Sequence, residues 1–466
     1  MIELIIALFV VGYIAIATEH SIHVNKAASA LITGVICWTI YILNADTLVD
    51  VNSEKFLSFL SNNNLVGASH ENIVHFIEHQ LSHQLSEVSG ILFFLLGAMT
   101  IVELIDAHNG FRVITDKIKT NSKVSLLWII GFITFFLSAA LDNLTTAIVM
   151  VSLLRKLIDD KYDRMFFVGI VVIAANAGGA WSPIGDVTTT MLWIGNQITA
   201  GNIVKTLILP SLACLAVPLI YLSFKMKGTF ERPAVVTHDA SGHKKVEVSN
   251  KETNIVFTIG ILGLLFVPVF KTYTHLPPFM GMLLSLGILW VVTELMHKNA
   301  PEEKKEALTA FGVIRRVDTP SILFFLGILV AIGALQSTGV LTELAQALDN
   351  SVGDWRIITI LIGLLSAIVD NVPLVAAAQG MYPLTEFLTD HPFWELLAFA
   401  AGTGGSCLII GSAAGVAVMG MEKIDFFWYL KKISLLALIG YAAGCAVYLL
   451  TYKFFLHEAV KVAVNL

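Results

Sequence analysis

Eight apolar runs punctuate the chain: Ile2–Thr18, Ala27–Leu43, Ile91–Ile105, Ile203–Phe224, Ile255–Phe270, Phe279–Leu295, Ser321–Leu335 and Ile433–Leu450. Each approaches the roughly 20 residues that a helix needs to cross a hydrocarbon core about 30 Å thick. So many such runs exclude an ordinary water-soluble globule, and the composition agrees. Of 466 residues, 56% are hydrophobic and 14% charged, against about 25% charged in soluble domains. The expected fold is an all-α polytopic membrane protein. Ala15-Ile16-Ala17 resembles a leader-peptidase site, but Glu3 stands where a leader carries Lys or Arg, so the first run reads as a retained span. The net charge of -6 comes with no basic stripe, which argues against a nucleic-acid partner. Cys37, Cys214, Cys407 and Cys445 lie in apolar runs without paired spacing and read as packing residues rather than a disulfide framework or metal cluster. No enzyme site and no bound cofactor are expected.

Charges between the runs set an orientation. Of the 29 Lys and Arg, 23 fall in Arg112–Lys123, Arg155–Arg164, Lys225–Lys251, Lys298–Arg316 and Lys423–Lys432 or at Lys26. By the positive-inside rule this side is cytoplasmic. The other side carries the acidic stretches Asp46–Glu87 and Glu343–Asp354, and both termini are expected there, outside. Val124–Ile158 is interrupted by Asp142-Asn143 and has basic flanks, so it enters and returns on the cytoplasmic side, as a re-entrant hairpin or as two full crossings. Ile357–Phe387 is interrupted by Asp370-Asn371 and returns outside. Its first arm, Ile357–Val369, would reach about 20 Å as a helix, too short to cross.

Internal repetition organises these pieces. Phe93-Phe94-Leu95-Leu96-Gly97 recurs as Phe324-Phe325-Leu326-Gly327, Ser138–Asn143 as Ser366–Asn371, and Gly178-Gly179 as Gly404-Gly405, in one order and at offsets near 230, 228 and 226. Because the two interrupted segments open to opposite sides, the repeats are expected to be inverted, with re-entrant hairpins and broken helices meeting near the bilayer midplane. That is the architecture of secondary transporters. No Walker motif offers an ATP site, so an ion gradient supplies the energy. The expected plan is N-terminal spans and an external segment with an amphipathic helix (1–87), then a first repeat (88–224) with hairpin 124–158 and broken helix 165–195. A cytoplasmic linker (225–254) leads to a second repeat (255–430) with hairpin 356–390 and broken helix 394–420, and a C-terminal span (431–466) follows.

Five acids stand out inside the apolar segments: Glu103, Asp106, Asp142, Asp186 and Asp370. A charge at that depth is costly and by default marks an ion path. Asp142-Asn143-Leu144-Thr145-Thr146 gathers a carboxylate, an amide and two hydroxyls, hard oxygen ligands suited to an alkali cation; the plainer reading is that Asp142 caps the next helix. Asn176–Thr189 contains three glycines and a proline, which cannot sustain a continuous helix. Asn176, Asp186 and Thr188 are its candidate ligands, with Asp186 at the start of a half-helix. The matching stretch supplies Thr403 and Ser412 but no acid, so the repeats are chemically unequal. Asp370-Asn371-Val372-Pro373 forms the second tip. Glu103 lies deeper than Asp106 on one helix face and reads as a proton acceptor or a helix stabiliser. His75, His79 and His83 recur every four residues and read as one face of a surface helix rather than a metal site.

The run Leu92–Asp106, the tip Ser138–Thr146 and the stretch Gly178–Asp186 together resemble the NhaD-type sodium/proton antiporters, of a superfamily that also holds arsenite permeases and sodium-coupled dicarboxylate carriers. The resemblance implies a homodimer with a scaffold domain and a mobile transport domain, moving as an elevator in the bilayer. The dicarboxylate branch carries Ser-Asn-Thr at its hairpin tips; here both tips begin with aspartate, which favours a cation over an anion. The expected activity is exchange of cytoplasmic Na+ or Li+ for external H+, with the cation at Asp142, Asn143, Asp186 and Asp370 and with proton and cation competing for one site. Sodium-coupled uptake of a dicarboxylate or arsenite-type anion is the alternative, and a cation channel the remoter one. The expected location is the bacterial cytoplasmic membrane.

Overall fold

The computed structural model describes residues 1–111, 118–231 and 248–452. The basic stretch 112–117, the middle of the expected linker (232–247) and the end of the expected last span (453–466) lie outside the described residues. Among the described residues the named elements are all helices, with one isolated bridge between Ser122 and Thr229.

In chain order the longer helices are α1 (Ile2–Ala17), α2 (Lys26–Leu43), α3 (Glu54–Asn62), α4 (His70–Ala107), α5 (Lys123–Leu141), α6 (Asn143–Leu157), α7 (Lys161–Ala180), α8 (Val187–Ile194) and α9 (Ala200–Lys225). There follow α10 (Asn250–Thr274), α11 (Pro278–Met296), α12 (Thr319–Ser337), α13 (Val340–Ser351), α14 (Trp355–Leu365), α15 (Asn371–Met381), α16 (Pro392–Gly404), α17 (Ala413–Glu422) and α18 (Ser434–Thr451). Among the described residues nine helices are long and apolar enough to cross a membrane. The chain is therefore a polytopic helical membrane protein, and all eight apolar runs fall on helices.

Two compact units divide the chain, each drawing on both of its halves. The first comprises Met1–Phe93, Asp318–Trp355 and Val372–Glu386. There α2 packs along α12, close enough for Trp38 Nε1 to donate to the Val330 carbonyl at 2.8 Å. Tyr41 Oη donates to Gln80 Oε1 at 3.0 Å, and Phe56 meets Phe76 edge-on at 5.2 Å. The histidine face belongs to α4, the helix that also contains the Ile91–Ile105 run, rather than to a separate surface helix. His75 and His83 each stand near a carboxylate of their own helix, Glu78 at 3.3 Å and Glu87 at 3.8 Å, and His79 lies against Phe59.

The second unit comprises Phe94–Val317, Arg356–Asn371 and Phe387–Leu466. Here α9 packs along α18, α7 against α5 and α6, α6 against α17, and α10 against α11. The first interruption is one residue long, since α5 ends at Leu141 and α6 begins at Asn143. The second is longer than the sequence implied: α14 stops at Leu365, leaving 366–370 non-helical. Both expected broken helices are present. α7 and α8 are joined through 181–186, and α16 and α17 through 405–412. The start of the linker is pinned rather than free, because Phe230 donates its N–H to the Asn121 carbonyl and Asp159 donates to Glu231.

Within this unit the two broken helices run in opposite directions. At one end the loop after α8 is tied to the residues before α16: Asp390 N donates to the Gln197 carbonyl at 2.8 Å, and Thr199 N donates to Asp390 Oδ1 at 2.6 Å. At the other end Arg164, in the first turn of α7, reaches Glu422, the last residue of α17, at 2.9 Å. The interruptions are held alike too. Ser138 Oγ donates to the Ala175 carbonyl at 2.6 Å, as Ser366 Oγ does to Ala401 at 2.9 Å. Gly178 sits where a Cβ would strike the Phe135 carbonyl, and Gly404 where one would strike Gly363.

Candidate functional site

Asp186 is the centre of the second unit's polar interior. It is 1% exposed and caps α8, its Oδ1 accepting from Thr188 N at 2.9 Å and Thr188 Oγ1 at 2.8 Å. This is why the chain can restart a helix here: the side chain satisfies an N–H that the first turn leaves without a partner. Its Oδ2 accepts from Asn143 Nδ2 at 2.6 Å, and Asn371 Nδ2 lies 3.4 Å from both oxygens. Asn143 also donates to Asn176 Oδ1 at 3.0 Å. Asn176 in turn donates to Ser406 Oγ at 2.9 Å and Ser412 Oγ at 3.0 Å. Both interrupted segments and both broken helices therefore meet around one carboxylate.

Every donor to Asp186 is neutral. Among the described residues no Lys, Arg or His side chain lies within 4.0 Å of it. Asp142 and Asp370, both half-buried, add like charge: Asp142 feels Asp186, and Asp186 feels Asp370. An uncompensated carboxylate out of water is expensive, so a site of this kind has a strong demand for a positive partner.

Asp142 caps α6. Its Oδ1 accepts from Thr145 N at 2.7 Å and its Oδ2 from Thr145 Oγ1 at 2.8 Å. Its backbone lies at φ 110°, ψ 161°, a region that belongs almost wholly to glycine and costs of order 1–3 kcal/mol for other residues. One turn further, Thr146 Oγ1 is buried without a hydrogen-bond partner, leaving an oxygen available to a ligand. The capping reading of Asp142 is thus correct, Asp186 caps its half-helix in the same way, and Asp142 and Asp186 are electrostatic neighbours.

Asn143, Asn176, Asp186, Thr188, Asn371 and Ser412 are joined in one network; Asp142 and Asp370 are charged neighbours of Asp186. Thr403 is buried and donates back to the Phe399 carbonyl at 2.6 Å. Glu103 lies half-buried on α4, with Asp106 and Arg316 as charged neighbours. Asp106 is exposed. The list of interior acids needs correction, because Glu395 (2% exposed) and Glu422 (4%) are buried and were not among the five. Ser406 was also missed as a ligand of Asn176; its place beside the Gly404-Gly405 pair was the available signal. Glu422 accepts from Arg155 Nε at 2.6 Å and Arg164 Nε at 2.9 Å, tying α17 to α6 and α7 behind the cluster.

Antiparallel interrupted helices converging on a buried, cation-demanding carboxylate define a membrane transporter. A family model described as "Citrate transporter" matches residues 13–395. Sodium/proton antiporter 1 of Arabidopsis thaliana is 48% identical over 448 residues, covering 96% of this chain and 72% of the relative. Sodium/proton antiporter 2 of the same plant is 44% identical over 452 residues, 96% of this chain and 99% of the relative. The Na(+)/H(+) antiporter NhaD of Alkalimonas amylolytica is 30% identical over 475 residues, 95% and 89% of the two chains. The chain belongs to the transporter family that the model describes and, within it, to the NhaD-type antiporters.

Proposed function

We propose that the protein exchanges sodium for protons, with Asp186 as the shared site. The observation that carries this reading is the neutral cradle around a buried carboxylate. Amides and hydroxyls orient the carboxylate without supplying a charge, so either H+ or Na+ must supply it, and binding one displaces the other. Asn143, Asn176, Thr146 and Ser412 offer further hard oxygens of the sort that suits an alkali cation, and Asp142 and Asp370 draw cations towards them. No resident cofactor takes part, and the chain acts as a carrier rather than an enzyme.

The antiparallel broken helices support an inverted repeat whose tips form re-entrant hairpins, and with it alternating access. An elevator-like movement, a homodimer and acceptance of Li+ complete the proposal. The basic loops would face the cytoplasm of a bacterial inner membrane, with both termini outside, which reporter fusions at each loop can check. Everted vesicles carrying a quenched pH-sensitive dye test the exchange. NaCl and LiCl should restore fluorescence and KCl should not, and D186N should abolish the response. Wild-type recovery in D186N would remove Asp186 from the coupling role. The family description leaves sodium-coupled anion uptake as a second reading, which the acids around Asp186 oppose; labelled citrate or succinate accumulating in the same vesicles would restore it.

A further inference from the structure

Glu395 lies in the first turn of α16 and is 2% exposed, yet the exchange scheme above gives it no task. Its partners differ in kind from those of the other buried glutamate. Glu422 accepts from two guanidinium groups. Glu395 instead accepts from the Asn202 amide through Oε1 and lies 2.7 Å from Tyr448 Oη through Oε2. Among the described residues no cationic side chain comes within 4.0 Å of it. Among the described residues the other titratable or charged groups nearby are Asp390, His391 and Tyr452, with Arg356 over the Tyr452 ring at 6.0 Å.

Tyr448 makes this arrangement reversible. Its single hydroxyl proton has two acceptors in reach, Glu395 Oε2 at 2.7 Å and the Pro392 carbonyl at 3.1 Å. When Glu395 is ionised, the tyrosine donates to it. When Glu395 is protonated, its own O–H donates to the tyrosine oxygen and the tyrosine proton turns to Pro392. Asn202 serves Oε1 in both cases. A hydroxyl both donates and accepts, so neither state leaves a buried polar atom without a partner. Such a carboxyl can gain and lose a proton with almost no rearrangement.

Its position gives that exchange a direction. Seven residues along α16, about 10 Å at 1.5 Å per residue, a Cβ on Gly402 would lie 3.9 Å from Asp186 Oδ2. In the other direction α16 begins beside the 196–199 loop, on the face that the charge pattern places outside. We infer that Glu395 is a second proton-binding site, set between the external face and Asp186. Its task of supplying protons to Asp186 rests on the proton-exchange reading; its reversible protonation does not.

Infrared difference spectroscopy between acid and alkaline pH, on purified protein in liposomes without a sodium gradient, isolates the protonation step. A carboxyl C=O band that titrates should be missing in E395Q and present in D186N. Y448F should keep that band with its midpoint moved upward by about one pH unit, the effect of losing one hydrogen bond to the ionised form. In exchange assays E395Q should shift the pH profile while sodium binding stays within about twofold of wild type. An E395Q spectrum identical to wild type, or an unmoved midpoint in Y448F, overturns the inference. Y448F retains the carboxyl and serves alone if E395Q fails to fold. Failure of sodium-dependent proton movement in the wild type would instead refute the exchange reading and leave the infrared result standing.

Discussion

At Asp142 one side chain serves two opposed requirements. The residue caps α6 through Thr145 while its backbone occupies a glycine region. Glycine in its place relieves the strain and loses the cap, whereas alanine loses the cap and keeps the strain. D142G should therefore be more stable than D142A by about 1 kcal/mol or more, measured by thermal unfolding in detergent, and neither should retain wild-type exchange. The strain was not legible, since nothing about an aspartate before an asparagine announces a positive φ. Asp142 and Asp186 themselves were legible because they interrupt apolar sequence. Glu395 and Glu422 were overlooked for the converse reason. They stand near the ends of apolar stretches, beside His391 and Lys423, where charge normally meets water, and only tertiary packing buries them.

Among the helices, close approach depends on the absence of side chains. α7 lies on α5, and α16 on α14, at contacts where Gly178 and Gly404 face a backbone carbonyl. Overpacking a core commonly costs 1–3 kcal/mol when side chains can yield; a carbonyl cannot yield without moving its helix. G178A and G404A should each lose at least about 3 kcal/mol and shift the sodium affinity of the cluster, readable by sodium-dependent thermal stabilisation. The glycine pairs themselves were visible as repeats, but the atoms that they accommodate were not. A different kind of element contact joins α17 to α6 and α7 through Glu422. E422Q strips two arginines of their shared partner and should cost roughly 3 kcal/mol, with a lower melting temperature and no change in which cation is preferred.

The second unit as a whole carries a pH-sensitive joint away from the site. His108, just past α4, and His297, just past α11, face each other Nε2 to Nε2 at 3.0 Å. His108 Nδ1 lies 2.8 Å from the Leu104 carbonyl, which can only accept. That nitrogen therefore bears the proton, His108 Nε2 accepts, and His297 Nε2 donates. Burial pushes His108 down to about 4 and also lowers His297, with Glu252 and Lys304 the charged groups near them. A histidine whose affinity for protons is reduced by folding stabilises the fold above its unfolded value of about 6.5, and that contribution drains away as pH falls towards 4. The melting temperature should drop between pH 7.5 and 5, and H108Q should flatten the dependence, as followed by tryptophan fluorescence. The apolar spans and their interruptions were readable from apolar runs and from the charges that break them. This joint was not, because two histidines 189 positions apart share no local pattern.

One asymmetry between the broken helices bears on how the protein meets an electric field. Where the first carries Asp186, the second carries Ser412, with the same extended backbone (φ -147°, ψ 147° against φ -143°, ψ 152°). The chain thus sets a carboxylate at the head of one half-helix and a hydroxyl at the head of the other. Each elementary charge moved through the membrane potential is worth about 2.3 kcal/mol per 100 mV. If the exchange proposed above runs through this cluster, a serine at 412 keeps a second charge out of it, and S412D should steepen the voltage dependence of sodium flux in liposomes held at a potassium diffusion potential.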